Sequence, residues 1–488
     1  MTTGLWTAYE AAAATGGALC ARGGDPDRWI AEEWAADGLS IDTRTLKPGE
    51  MFVALKDARD GHDFIDAAFE RGASVALVAR APANAPEGKP LLVVRDTLEG
   101  LRDLARAARV RNFGKRIGVT GSAGKTSTKE MLRTALAASG SVHAAQKSFN
   151  NHWGVPLTLA QLPMKADYGV FEIGMNHAGE ITPLTKLVRP HVAIVTTIAP
   201  AHLEFFGTLE KIAEAKAEIF LGVAKGGAAV LPIDNPQYAL LRERAAAAGV
   251  AKMLTFGEHK DADIRLLDYK EDKAGGRIHA RRAAGEFAFT LGAPGKHQAM
   301  NALAVIAALE ALRAPVEPAL EALAGHSAGE GRGARREIAL GDGRKVTLID
   351  ESYNANPASM AAAISLLGAA KPHGEGRRIA ALGEMLELGP DGPSLHAGLA
   401  DALVAAKVDR LYVAGALMNH LWTAAPDAMR ARAAAAASDL VGPLLGDLVD
   451  GDIVMVKGSN ASRISEIARA LVAAAGADAG RAAKTATQ

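Results

Sequence analysis

The stretch IGVTGSAGKTSTKEML, residues 117–132, passes from an apolar run through a Gly/Ser turn into a segment suited to a helix. Strand, glycine turn and helix in that order make a phosphate-binding loop. The strict spelling of such a loop asks for a glycine where Val119 stands. The physics survives in Thr120, Gly121, Ser122, Ala123, Gly124, Lys125, Thr126 and Ser127. Glycines let backbone N–H groups converge on oxygens, and the helix start carries positive partial charge. Lys125 reaches the terminal phosphates and Thr126 can ligate magnesium. A nucleoside triphosphate is the expected ligand, but the loop alone does not name the reaction.

Outward from this loop the chain alternates strand and helix. DYGVFEIG (167–174) is followed by GEITPLTKLV (179–188), and HVAIVTTI (191–198) by TLEKIAEAKAEIFLGV (208–223). Near-continuous apolar strands between helices predict an α/β fold with a doubly wound, mostly parallel central sheet. Upstream, GEMFVALKD, ASVALVA and LLVVRD read as strands of a small α/β unit, with the Pro-containing ARAPANAPEGKP (79–90) as a connection inside it. AGHSAGEGRGARREIALGDGRK (324–345) breaks the periodicity with glycine and charge. RRIAALGEM, RLYVAG and DIVMVKGSN then supply the strands of a Rossmann-like third unit. Expected domains are 1–111, 112–325 and 326–488, and GADAGRAAKTATQ (476–488) is expected as a disordered tail.

Bulk composition bounds the partners. The 488 residues carry 55 basic and 55 acidic side chains, which gives no electrostatic case for nucleic acid or an anionic membrane surface. No run approaches the roughly 18 apolar residues that span a bilayer. Cys20 is the single cysteine, so no internal disulfide or cysteine-based zinc site is expected, and a reducing, cytoplasmic setting fits.

Three residues suggest metal chemistry. Glu172 ends an apolar strand beside the phosphate loop, where a magnesium ligand belongs in such a sheet. His202 follows another strand end and becomes a candidate second-metal ligand in company with Glu172 and Thr126. Lys216 falls on the apolar stripe of Leu209, Ile212, Ala213, Ile219 and Phe220. A charged lysine is costly to bury there. Equally, a lysine at the edge of a stripe can snorkel to water, and the residues alone leave both readings open.

The loop TGSAGKTSTKEM resembles that of the Mur ligases, ATP-dependent enzymes that build peptidoglycan peptides. The resemblance continues along the chain. KSFNNHWGVPLTL (147–159) is similar to an N-N-x-x-G-x-P segment that contacts the reacting end of the substrate, which implies roles for Asn150 and Asn151. LGAPGKHQAMNALAVIAAL (291–309) resembles a G-x-H-x-x-x-N stretch, implying that Asn301 meets the adenine side of ATP with His297 nearby. IDESYNANPASM (349–360) resembles a D-D-S-Y-N-A-N-P hallmark, implying an ATP-side acid, either Asp350 or Glu351, and substrate contacts from Asn354 and Asn356. GRGARRE is loosely similar to a G-R element, so Arg332 or Arg335 is expected at the γ-phosphate. GLSIDTRTLKPGEMFVALKDARDGHDF (38–64) resembles a uridine-nucleotide segment, implying that Asp42, Thr43 and Arg44 sit against UDP and its sugar. ALGEMLELG (381–389) and VMVKGSNASRISEI (454–467), with Lys457, complete the match in the unit that delivers the incoming amine.

The resemblance implies an amide ligase with ATP and two Mg2+ ions as cofactors. Lys125, Glu172, His202 and Lys216 would be its catalytic group, with Lys216 carbamoylated by CO2 so that the cation becomes an anionic magnesium ligand. Its substrates would be UDP-N-acetylmuramoyl-tripeptide and D-alanyl-D-alanine, joined through an acyl phosphate, and a monomer is expected. Alternatives are a third-residue-adding ligase or folylpolyglutamate synthetase of the same architecture, or a P-loop kinase or GTPase; no N-K-x-D element for guanine is present.

Overall fold

The computed structural model describes residues 4–21, 34–80, 88–272 and 275–485. Three large sheets divide these residues in chain order. The first has the spatial order Ala18–Ala21, Pro90–Val93, Val75–Val78, Glu50–Val53, Gly38–Ser40, parallel except at the Ala18–Ala21 edge. Most of the expected 79–90 connection lies outside the described residues.

The central sheet has nine strands. From its edge run Val142–Ala144, Tyr168–Glu172, Lys115–Thr120, Val192–Val195, Ala228–Pro232, Lys252–Gly257 and Ile264–Asp272, all joined in parallel. Gly275–Arg282 and Gly285–Leu291 extend it as antiparallel ribbons. Helices cover both faces, which is why its inner strands are apolar on both sides. Lys296–Leu312 is a deeply sunk helix, with Ala299 and the run 302–309 buried against Met131 and Leu132.

The third sheet orders Ala334–Ala339, Lys345–Glu351, Ile453–Lys457, Arg378–Gly383, Arg410–Ala414 and Arg430–Ala434, parallel apart from the first pair. The α/β architecture with a mostly parallel central sheet is as expected. The tail is not: a helix runs Ser465–Thr485 through most of the segment expected to be disordered, in keeping with the helix propensity of its alanines. No helix among the described residues is long and apolar enough to cross a membrane.

The units are packed together. Trp6 donates its indole N–H to Ala160 O at 2.9 Å, and Arg111 lies 3.8 Å over its ring. Gln161 donates to Leu39 O at 2.6 Å. The first unit therefore sits on the helix Gly154–Ala160, which follows the asparagine-containing segment.

Candidate active site

Register places the chemistry. Glu172 pairs with Val119, and Val195 with Thr120, so three parallel strands finish side by side at the phosphate loop. This is the carboxyl edge where open α/β sheets bind ligands. The loop turns tightly there: a Cβ on Gly121 would lie 1.9 Å from Thr196 Oγ1, and one on Gly124 2.6 Å from Asn301 Oδ1. Gly124 has φ +81°, a left-handed conformation that favours glycine, and starts the helix Lys125–Ala137. Thr196 donates its hydroxyl to Ala123 O at 2.5 Å, bracing the turn from the neighbouring strand end.

Glu172 is the hub. Its Oε2 accepts Thr126 Oγ1–H at 2.7 Å, and its Oε1 accepts Ser148 Oγ–H at 2.6 Å and Asn150 Nδ2–H at 2.8 Å. Burial alone would push its pKa up, but the Lys125 ammonium and these three hydrogen bonds hold it below the ordinary carboxylate range. Lys125 donates to Gly121 O at 2.7 Å, and burial lowers its pKa against the pull of Glu172.

Lys216, on the helix Leu209–Ala217, is 1 % exposed, and its side-chain ammonium has no hydrogen-bond or ion-pair partner among the described residues. Burial, with the Lys125 charge nearby, pushes its pKa well below the usual lysine value. Of the two readings of this lysine, the buried one holds. His202 opens the short helix Leu203–Phe206 at φ 57°, and its Nδ1 lies 2.5 Å from Glu387 Oε2 of the third unit. Burial lowers the His202 pKa, Glu387 opposes this, and the Lys216 and Lys125 charges add to it.

Lys125, Glu172 and His202 line a cleft of about 650 Å³ between the central and third units, and Lys216 lies outside its lining. The central unit contributes Ser122–Ser127, Ser148, Asn150, Glu172, Thr196, His202, Asn235, His297 and Asn301; the third contributes Arg332, Glu351, Tyr353, Asn354, Asn356 and Lys457. Asn356 caps the helix Pro357–Ala369 and donates to Ser122 O at 3.3 Å, so the two units meet at the phosphate loop. Lys457 is 2 % exposed, donates to Asn354 O at 2.8 Å and lies 3.6 Å from Glu351; burial lowers its pKa. Arg332 stacks 3.8 Å over the Tyr353 ring.

Several expected residues lie elsewhere. Arg335 pairs with Glu271, away from the cleft, so Arg332 is the arginine that faces it. Asp350 accepts Gly331 N–H and the Ser352 N–H and hydroxyl, while Glu351 lines the cleft. Side chains alternate along a strand, so neighbouring acids take opposite faces. Asn151 accepts Trp153 and Gly154 N–H and caps the next helix. Asp42, Thr43 and Arg44 form a turn outside the cleft lining: Arg44 holds the Asp42 carboxylate, whose pKa is lowered by that contact and, more weakly, by Lys147. Thr120 is fully buried at the strand end.

Sequence reading missed Ser148, Thr196, Asn235 and Glu387. Ser148 had a signal: two residues from Asn150 in an extended segment, it shares that residue's side. Glu387 had none, being 185 residues from His202.

The residue set suits a divalent cation held by oxygens and an imidazole. No group of three His, Cys, Asp or Glu side chains with metal-binding geometry occurs among the described residues. Thr126, Glu172 and His202 line the same cleft, and the buried Lys216 is near enough to His202 and Lys125 for their charges to act on one another.

Family models match in the same order along the chain. "Mur ligase family, catalytic domain" covers residues 36–109, "Mur ligase middle domain" 119–309 and "Mur ligase, glutamate ligase domain" 334–460. The UDP-N-acetylmuramoyl-tripeptide–D-alanyl-D-alanine ligase of Bacillus subtilis (strain 168) is 34% identical over 446 residues, 90% of this chain and 94% of its own. That of Escherichia coli (strain K12) is 34% identical over 439 residues, 89% and 93% of the two chains. A crystal structure of MurF from Acinetobacter baumannii superposes with a TM-score of 0.82 at 29% identity, covering 96% of this chain and 98% of that one. MurF ligase from Thermotoga maritima in complex with ADP gives 0.75 at 27%, covering 90% and 97%. With its loop, its cleft and about nine-tenths of its length matched in this way, the chain belongs to the Mur ligase family, among the UDP-N-acetylmuramoyl-tripeptide–D-alanyl-D-alanine ligases.

Proposed function

We propose that this chain joins D-alanyl-D-alanine to the terminal carboxylate of UDP-N-acetylmuramoyl-tripeptide at the expense of ATP, the step that completes the pentapeptide of the cytoplasmic peptidoglycan precursor. The observation that carries the reading is the cleft itself, where a phosphate loop with its acid faces Lys457, Asn354 and Arg332 from a separate unit. A kinase or GTPase switch needs the first half alone. Matches over nine-tenths of the chain to ligases that add D-alanyl-D-alanine favour this acceptor over folate or a third amino acid.

A carboxylate is a poor electrophile. Transfer of the γ-phosphoryl group to the tripeptide carboxylate makes an acyl phosphate; the dipeptide amine then attacks the acyl carbon, and phosphate leaves, with ADP and an amide as the other products. Two anions must first approach, and fixed positive charge offsets their repulsion. Lys125 and Arg332 supply it from opposite walls, and the N–H groups of the loop hold the ATP phosphates. Asn301 and His297 face the adenine side, and Asn150 orients the tripeptide end. Lys457, Asn354 and Asn356 address the dipeptide, and Asp42, Thr43 and Arg44 the uridine nucleotide.

Thr126 would hold one Mg2+, and Glu172, His202 and Lys216 the second; bound there, the ions neutralise phosphate charge. Lys216 fits this as a carbamate. Its burial favours the uncharged amine that adds CO2 with release of a proton, and the resulting carbamate anion would be a further ligand. The working unit is a monomer, since both walls of the cleft come from one chain.

The test is mass spectrometry of the nucleotide product after incubation with ATP, Mg2+, UDP-N-acetylmuramoyl-tripeptide and D-alanyl-D-alanine. A UDP-pentapeptide formed only with the dipeptide present supports the reading. Phosphate release without an amide, with tripeptides ending in either meso-diaminopimelate or L-lysine, refutes it. A carbamate carbon resonance after ¹³C-bicarbonate labelling, lost in Lys216→Arg, tests the modification.

A further inference from the structure

His202 and Glu387 meet across the boundary between the central and third units, and both have left-handed backbones, φ 57° and 61°. Such a conformation is costly for residues with a Cβ and persists where surrounding structure holds it. The third unit does so at Glu387. His396 Nε2 accepts Met385 N–H at 2.9 Å, Ser459 Oγ accepts Leu386 N–H at 3.0 Å, and Glu384 O accepts Ser459 N–H at 2.9 Å. His396 is itself fixed, fully buried with Nδ1 at 2.6 Å from Gly392 O. Contact with the central unit is also made by backbone, Glu204 N–H donating to Glu387 O at 3.1 Å. Gly389 packs so closely that an added Cβ would lie 3.2 Å from Glu204 Cα. The rest of this junction is thus already made by main chain, and the Glu387 carboxylate adds one thing: a bond to the His202 ring.

We propose that Glu387 is a positioning residue that couples docking of the third unit to the metal site, by accepting Nδ1–H of His202 and leaving Nε2 as the nitrogen free to bind a cation. The inference rests on the functional reading above. A carboxylate can only accept, so the partnership selects one tautomer and one ring orientation; acidic partners of this kind tune metal-binding histidines. Closure of the third unit, which brings the amine, thereby finishes the site that supports phosphoryl transfer. The acyl phosphate is then made only with its acceptor's carrier in place.

Glu387→Ala and Glu387→Gln test this in the full chain. Manganese binding is titrated by electron paramagnetic resonance with a non-hydrolysable ATP analogue present, and compaction is followed by small-angle scattering. In Glu387→Ala we expect an unchanged melting temperature and manganese binding weakened about tenfold or more. Half-maximal magnesium and the KM for D-alanyl-D-alanine should rise while the KM for the UDP-tripeptide stays put. Wild-type manganese affinity and compaction in Glu387→Ala overturn the proposal. Should that variant melt early, Glu387→Gln, which keeps the length but carries an uncharged amide that can donate as well as accept and so no longer selects one tautomer, makes the comparison: weaker binding at unchanged melting supports it, unchanged binding overturns it. Neither binding readout needs turnover. A chain without ligase activity but with Glu387-dependent manganese binding would fail the functional reading and keep this one.

Discussion

Thr126 and Glu172 are joined by a 2.7 Å hydrogen bond from hydroxyl to carboxylate, which ties the first turn of the phosphate-loop helix to the end of the adjacent strand. With Ser148 and Asn150 on its other oxygen, Glu172 links three segments at the point where, on the proposed function, ATP and the acceptor carboxylate meet. It is therefore both a brace and a fixed negative charge at the phosphate loop.

Glu172→Gln separates these roles. The amide keeps the shape and one acceptor oxygen, so folding and the KM for ATP should change little. The negative charge is lost, and we expect kcat to fall on the order of a hundredfold or more, as for other preorganised charges in phosphoryl transfer. Coupled measurement of ADP release at varied Mg2+ checks this; a kcat within a few-fold of wild type would remove Glu172 from the metal site.

Gly124→Ala should act through geometry. The new methyl would stand 2.6 Å from Asn301 Oδ1 on a backbone at φ +81°. The left-handed conformation alone costs roughly 1–2 kcal/mol. The KM for ATP is expected to rise about tenfold, with that for the UDP-tripeptide unchanged. Asn301→Ala added to Gly124→Ala should recover part of the loss if the clash with Asn301 is the cause. Steady-state kinetics of the two variants decide it.

How much of this was legible follows from range. The phosphate loop and Glu172 were readable because strand, turn and helix are contiguous, and an acid ending an apolar run has few other uses. Lys216 was half-readable: helical spacing put it on the apolar stripe, but whether its ammonium escapes to water depends on what packs over it. Asp350 and Glu351 could not be separated, because which one faces the cleft depends on pairing Glu351 with Lys457 in a strand 106 residues away. Arg332 and Arg335 were ambiguous for a related reason, since Glu271, the partner of Arg335, lies on a distant ribbon. That ribbon, Ile264–Asp272 with Gly275–Arg282 and Gly285–Leu291, was passed over although RIHARR and EFAFTL alternate as strands do.

Lys129 carries a prediction that no motif suggested. Fully buried one turn beyond Lys125, it donates to Ala145 O at 2.5 Å and Lys147 O at 3.2 Å and pairs with Glu130 at 2.9 Å. It thus holds the segment that presents Ser148 and Asn150 to Glu172. Lys129→Met fills the space but leaves Ala145 O without its side-chain donor, while Lys147 O keeps the Phe149 N–H and Glu130 keeps Arg133, at a cost of about 1–3 kcal/mol. Trypsin should then cut faster after Lys147, and thermal unfolding should come several degrees earlier. Wild-type protection at Lys147 would show that the segment holds itself.

His191 should make stability depend on pH. Its Nδ1 accepts the Arg116 backbone N–H at 3.0 Å, and its own N–H donates to Arg116 O at 2.7 Å, closing the turn that leads into the strand Val192–Val195. Burial, with the Arg116 and Lys115 charges, lowers its pKa from 6.5 to about 4. Between those values the unfolded chain binds a proton that the folded chain refuses, so the unfolded state gains as pH falls. The contribution is whole above the unfolded pKa and is lost as pH drops towards the folded one. Melting temperature recorded from neutral pH down to about 4 should fall across this window. His191→Gln, which keeps an acceptor but does not titrate, should flatten that part of the curve; an identical slope in the two proteins would assign the acid sensitivity to other groups.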